Sequence, residues 1–247
     1  MKLFTKTLIA TALIASGTQV TLASETVDPS DLTQVSTSGY LGMNNQGDVK
    51  LSASFGFGIT EGQMGMATIE GTMDKGGNYS DSRAQYFQVF NTGNRIAPKA
   101  AASLDIIDNT NFTTAAVGAI SMFNPGVENF VIFGRVGVLA GKYNDGFTQS
   151  MGETDQDIVG GMAAAYLSWK PGADGTYLMF SPEYTYMDGS IETSTLKTSL
   201  TVGTPLSADG KRWGQFKIEN TYGSMKSSKA KVDIDDTVAW AFYKVYF

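Results

Sequence analysis

The sequence predicts an all-β chain, a transmembrane up-and-down antiparallel β-barrel of about 12 strands, with about 10–14 compatible with the pattern. Apolar and polar residues alternate with period two in segment after segment, as in strands with two unlike faces; a helix would repeat every 3.6 residues. The segments run about ten to twelve residues, which at roughly 3.3 Å per residue and a tilt near 40° crosses an apolar layer of about 25 Å. Mean hydropathy is −0.09 although 42% of residues are hydrophobic, as follows when an apolar face and a polar face cancel along each strand. No apolar run reaches the roughly 18 residues of a helical span.

The elements follow in chain order. Lys2 and Lys6 precede a short apolar run, residues 7–17, and Thr21-Leu22-Ala23 offers an imperfect small-x-small cleavage site, so residues 1–23 are expected to be a signal peptide. Residues 24–33 (SETVDPSDLT) are polar and acidic and contain Pro29, which predicts a flexible N-terminal lead-in. Residues 34–247 then form the barrel as one domain, without a Pro/Ser-rich linker or an internal repeat beyond the alternation itself.

After a first candidate strand near 34–43, strand 48–60 shows the pattern over eleven residues: Val49, Leu51, Ala53, Phe55, Phe57 and Ile59 alternate with Lys50, Ser52, Ser54, Gly56 and Gly58. Strand 63–74 follows the Glu61-Gly62 turn and carries Glu70. In strand 98–107, Ala100, Ala102, Leu104 and Ile106 oppose Lys99, Ala101, Ser103 and Asp105; in 129–142, Val136, Val138 and Ala140 oppose Arg135, Gly137 and Leu139. In 159–170, Ala163 and Leu167 oppose Tyr166 and Ser168, and in 176–187, Leu178, Phe180 and Tyr184 oppose Ser181 and Glu183. Strands 191–203 and 211–222 set Leu196, Leu200, Phe216 and Ile218 against Lys197, Ser199, Lys217 and Glu219. Strand 237–247 ends the chain. At 82–92 and 112–123 the parity is ambiguous, because apolar residues occur on both faces.

Long polar connections alternate with short turns, as they do at the two rims of such a barrel. With the C-terminus taken as periplasmic, residues 75–81, 143–158 and 223–236 are the long outer connections, whereas Glu61-Gly62, 124–128 and 171–175 carry inner-turn chemistry. The rule holds imperfectly, since the outer connections near 108–111 and 188–190 are short.

Composition narrows the function. With no Cys and no His, disulfides, thiolate metal sites and the commonest general base are excluded. The net charge of −6 disfavours a nucleic-acid partner. The last strand places Ala239, Ala241, Tyr243, Val245 and Phe247 on one face. This ending resembles the C-terminal signature of Gram-negative outer-membrane β-barrel proteins, whose terminal Phe and alternating upstream residues are recognised by the barrel assembly machinery. The resemblance covers the signal peptide, the final strand and the strand pattern between them, and identifies a class without singling out a porin-like member. It implies residence in the outer membrane among lipid and lipopolysaccharide, with Tyr243, Val245 and Phe247 as the assembly signal. The histidine-dependent enzymes of that membrane cannot operate by their own mechanism here, so the expectation is a non-enzyme without a cofactor.

In a barrel whose apolar face meets lipid, the other face lines the lumen. The lumen candidates are Lys50, Glu70, Lys99, Asp105, Arg135, Lys142, Glu183, Lys197, Lys217, Glu219 and Lys244, interspersed with Ser and Gly. Small polar residues leave space, so the expected function is a narrow, porin-like diffusion channel for small hydrophilic solutes. The alternative is a non-conducting surface scaffold or an adhesion or receptor barrel, in which opposite inner charges only satisfy one another. Oligogalacturonate-specific porins carry arginine-rich linings, whereas this chain has only Arg83, Arg95, Arg135 and Arg212, which speaks against that specificity. Glu153, Asp155 and Asp157, at spacing two, are candidate oxygen ligands for calcium, although the glycine and flanking ligands of a calcium loop are missing.

Overall fold

The structure is a computed structural model describing residues 27–247; the expected signal peptide, 1–23, lies outside the described residues. Its strands are β1 (Ser38–Asn44), β2 (Val49–Thr60), β3 (Gln63–Met73), β4 (Tyr79–Asn91), β5 (Lys99–Asn109) and β6 (Phe112–Phe123). They continue with β7 (Phe130–Tyr143), β8 (Asp157–Trp169), β9 (Tyr177–Gly189), β10 (Glu192–Pro205), β11 (Arg212–Lys226) and β12 (Lys231–Tyr246). Each strand pairs antiparallel with its sequence neighbours, and β12 returns to β1, with Ser38 opposite Tyr246 and Asn44 opposite Trp240, so the sheet closes and leaves no edge.

The outer wall is apolar. Leu41, Leu51, Phe55, Ile69, Leu104, Val117, Val136, Val138, Leu200, Phe216 and Ile218 are all exposed, and each stands one residue away from an inward side chain, as the pleat requires. Outward aromatics lie toward both rims: Trp169, Phe123 and Phe247 at the end where the chain enters β1 and leaves β12, hereafter the inner mouth, and Tyr79, Tyr184, Tyr186 and Tyr222 toward the outer end. A continuous apolar band facing outward is unfavourable in water and favourable in a bilayer, so this is a membrane-spanning wall.

Several boundaries differ from the sequence expectation. The polar stretch 223–236 is not one long outer connection: β11 and β12 continue pairing through Ser224↔Asp233 to Lys226↔Lys231, leaving only residues 227–230 between them. Backbone hydrogen bonds between two neighbouring strands persist beyond the apolar band, so polarity there marks exposure, not the end of a strand. The outer connection 144–156 contains a short helix, α1 (Asp145–Ser150), within which the Thr148 hydroxyl donates to the Asn144 carbonyl at 3.1 Å. At the inner rim the Glu61-Gly62 turn needs a left-handed residue, supplied by Gly62 at φ +75°. The β8–β9 ladder is interrupted between Ala164↔Glu183 and Leu167↔Phe180, at Pro182, which has no N–H to give.

The described part of the expected flexible lead-in, residues 27–33, does not project as a free tail. Together with 34–37 it forms a strap inside the inner mouth. Val35 packs on Phe87, Val89, Ala101, Ile120 and Phe133, inner-facing residues of β4 to β7. Val27 and Leu32 pack against Tyr177, Met179, Trp213 and Tyr246, inner-facing residues of β9, β11 and β12. This accounts for the ambiguous parity of β4 and β6: Phe87, Val89 and Ile120 are apolar and inward because the strap, not water, covers them. Gly56 makes room, since a Cβ there would stand 2.8 Å from a Val35 methyl and 3.1 Å from the Ser36 backbone. Its N–H donates to Thr37 Oγ1 at 3.2 Å.

Candidate functional site

The candidate site is the inner wall and its two mouths. Alternation on β5 places Asp105 between outward Leu104 and Ile106, and its side chain is only 2% exposed. A lone buried carboxylate would be strongly disfavoured, and two arginines compensate it. Arg83 Nη2 on β4 lies 2.6 Å from Asp105 Oδ1, and Arg135 Nη2 on β7 lies 2.7 Å from Asp105 Oδ2. Gln85 Nε2 donates to Oδ2 at 3.2 Å. Arg135 reaches across β6 because the inner positions there opposite β5 are small, Ala116 beside Asp105 and Gly118 beside Ser103.

Further charges continue around the wall. Glu70 accepts a hydrogen bond from the Tyr40 hydroxyl at 2.6 Å and sits opposite Arg83 in the ladder. Lys197 Nζ lies 3.4 Å from Glu183, its cross-strand partner, and Lys217 Nζ donates to Glu219 Oε2 at 2.7 Å. Lys50 and Lys244 instead lie over rings: Lys50 Nζ is 5.2 Å from the Trp240 centroid and Lys244 Nζ 4.9 Å from that of Tyr246.

The strap is tied across the inner mouth by charge as well as packing. Lys99, first residue of β5, holds Asp31 at 3.0 Å, and Lys170, just after β8, holds Asp28. At the outer mouth, α1 and its loop fold over the β7–β11 side. Phe147 and Met151 pack with Tyr143, Ile158, Met187 and Met225, and the Tyr143 hydroxyl reaches the Ile191 carbonyl at 3.0 Å and Thr193 Oγ1 at 2.8 Å. Ser228 N and Oγ both donate to Glu153, which holds that carboxyl below the usual carboxylate range; Lys229 Nζ donates to the Gly152 carbonyl at 2.6 Å.

By parity the inner face carries Lys50, Glu70, Lys99, Asp105, Arg135, Glu183, Lys197, Lys217, Glu219 and Lys244. They are not equivalent: Asp105 and Arg135 join one cluster, Lys99 belongs to the strap, and Lys50 and Lys244 rest on aromatics. Lys142 is corrected: it alternates with inward Gly141 and Tyr143, points outward with a side chain 70% exposed, and lies 3.5 Å from Asp157. Tyr243 and Phe247 are exposed on the outer wall with Val245 between them at the same parity.

The three loop acids do not converge. Glu153 is taken by Ser228, Asp155 accepts from the Asp157 N–H, and Asp157 faces Lys142. Among the described residues no group of three metal-ligating side chains comes together. Sequence reasoning missed Arg83 as the partner of Asp105, although its parity with Asp81 and Gln85 places it inward. It also missed Asp28, Asp31 and Val35, for which only the apolar inner face of β4 was a signal.

No protein-family model and no curated protein sequence matches the chain. Solved structures do match in fold. The COG4313 outer membrane channel from Pseudomonas putida F1 superposes with a TM-score of 0.64 at 12% identity, over 90% of this chain and 100% of that one. The NanC porin gives 0.62 at 5% identity, over 85% and 99%, and the KdgM porin 0.55 at 7%, over 86% and 99%. At such identities the likeness is one of architecture: this chain has the closed twelve-stranded antiparallel barrel fold of outer-membrane porins and channels.

Proposed function

We propose that the protein is a narrow, non-catalytic diffusion channel of the bacterial outer membrane for small hydrophilic solutes. The observation that carries this reading is the contrast between the two walls: the outer is an apolar band, while the inner holds charged residues on most strands with serine, threonine and glycine between them. A belt of fixed charges wets a lumen and biases which solutes enter. The strap and the α1 loop narrow the two mouths, so the conductance is small. The outer wall sits among lipid and lipopolysaccharide, and Tyr243, Val245 and Phe247 serve as the signal read by the barrel assembly machinery. No cofactor takes part.

A second reading, a closed surface scaffold or adhesion barrel, is favoured by one observation, the presence of chain in both mouths. Planar-bilayer recording separates the two. Refolded, heat-modifiable protein should give small, discrete conductance steps; the absence of channels from protein shown to be folded would favour the scaffold.

A further inference from the structure

We propose that Lys50, Lys197 and Lys217 form, around Glu219, a binding site on the inner wall for small, singly charged oxyanions such as carboxylates; this rests on the channel reading and names its solute class. The strand register brings the four side chains onto one patch. On β11, Lys217 and Glu219 share the inner face two positions apart, and the Lys217 amine donates to Glu219 Oε2 at 2.7 Å. On β10, Ser199 lies opposite Glu219 and Lys197 opposite Thr221, so Lys197 is the diagonal neighbour of Glu219 on the same face. On β12, Trp240 lies opposite Lys217. Lys50 arrives from β2: its amine stands 5.2 Å from the Trp240 ring centroid, and Gly42, opposite Lys50 on the intervening β1, has no side chain to obstruct it. The Lys217 amine is 6.0 Å from the centroid of Phe242, whose ring stacks on Trp240 at 5.5 Å, so Lys50 and Lys217 stand over the two members of one ring pair. All three amines act on the charge of Glu219, and Lys50 and Lys197 act on that of Lys217.

The balance of charge gives the patch its ligand. Three lysines meet two carboxylates, Glu219 and Glu183, the latter 3.4 Å from Lys197, which leaves one positive charge. Lys50 has a ring beneath it where Lys197 and Lys217 have acids. A ring face accepts no hydrogen bond of carboxylate strength, so the Lys50 amine protons stay available to a ligand in the lumen. The patch is open to that lumen, with the Lys197 side chain 42% exposed. One oxyanion among the amines neutralises the excess and offers several acceptor oxygens to donors arriving from different strands; a cation meets three like charges. Glu219 holds the lysines together and competes with an incoming anion for their protons, so its removal strengthens the site. The other inner-wall cations stand apart: Arg83 and Arg135 are paired with Asp105, Lys99 with Asp31, and Lys244 lies over Tyr246 within range of the Glu70 charge.

The test uses the full folded protein in planar bilayers and in detergent, with acetate as probe and acetamide as its neutral counterpart of similar shape. In a potassium acetate gradient, Lys50→Gln should lower the acetate-to-potassium permeability ratio about two- to threefold, as expected for loss of a unit charge several ångströms from the ion in partly screened lumen water. Glu219→Gln should raise the ratio by a similar factor, and Lys50→Arg should leave it as in wild type. In detergent, acetate exchanged for chloride at constant ionic strength should shift tryptophan emission saturably, because it draws the Lys50 amine from Trp240. That shift should vanish in Lys50→Gln and in Trp240→Phe, and acetamide should not produce it. Conducting, heat-modifiable protein whose ratio is unchanged in Lys50→Gln and Glu219→Gln, or moves in the same direction in both, would overturn the site and leave the channel reading intact. An equal response to acetamide would overturn the charge assignment. A saturable, Lys50-dependent emission shift in folded protein that gives no current would support the site, and the channel reading alone would fall. Folded protein with neither shift nor current would overturn both.

Discussion

If the strap holds the inner mouth, loosening its anchors should expose it by a calculable factor. Val35 is 8% exposed within an apolar cluster, and burying a valine is worth about 2 kcal/mol. Val35→Asp loses that and places a charge against Phe87 and Phe133. The Asp31 ion pair with Lys99 is partly exposed, so Asp31→Asn removes only about 0.5–1 kcal/mol. Together they shift the docked-to-free ratio by about 3 kcal/mol, roughly a hundredfold. The chain contains no cysteine, so Thr33→Cys provides a unique reporter at a position 2% exposed within the strap. When docking is fast relative to labelling, the maleimide reaction rate follows the undocked fraction. The expected result is a rise of about two orders of magnitude in the labelling rate of Val35→Asp/Asp31→Asn over its parent, with a matching rise in open-channel current. Equal labelling rates in folded protein would refute the view that these contacts hold the strap.

Three further outcomes follow from the same geometry. Asp105→Asn leaves Arg83 and Arg135 without their shared carboxylate; because the arginine side chains are 30% and 15% exposed, the loss is discounted to about 2–3 kcal/mol, measured as a lower urea midpoint for the heat-modifiable form, with anion preference raised. Gly56→Val should displace the strap without changing the strand register, seen as faster labelling at Thr33→Cys while the folded electrophoretic form persists. Glu153 has its carboxyl held low by Ser228, so its contribution is present above the ordinary carboxylate range near pH 4.3 and is lost as pH falls through the lower folded value. Proteolysis of loop 144–156 should therefore accelerate below about pH 4, and Glu153→Gln should abolish that acid dependence.

The legibility of the fold varied with what each residue faces. Where one wall meets lipid and the other water, as at Phe55 and Ser54 or Ile218 and Lys217, the alternation in the chain identifies strand, face and approximate length. Where the inner face meets the strap, at Phe87, Val89 and Ile120, both faces are apolar and the pattern is silent. Polarity misled at 223–236, because paired backbone can be as polar as a loop, and at Lys142, where a residue near the outer rim points outward into a polar environment that a long side chain can reach.

What the amino-acid order determines by itself is the two-faced strand repeated around a closed sheet, since periodicity is a property of near neighbours and of the solvent on each side. Only the tertiary structure decides which inner charges meet and which do not. Asp105 finds Arg83 and Arg135 from strands on either side, residues 27–37 reach across the mouth to Lys99 and Lys170, and Lys50 and Lys244 rest on rings. Those outcomes depend on strand register and on the room left by Ala116, Gly118, Gly42 and Gly56, and they join residues up to 142 positions apart in sequence, a separation over which no local pattern carries information.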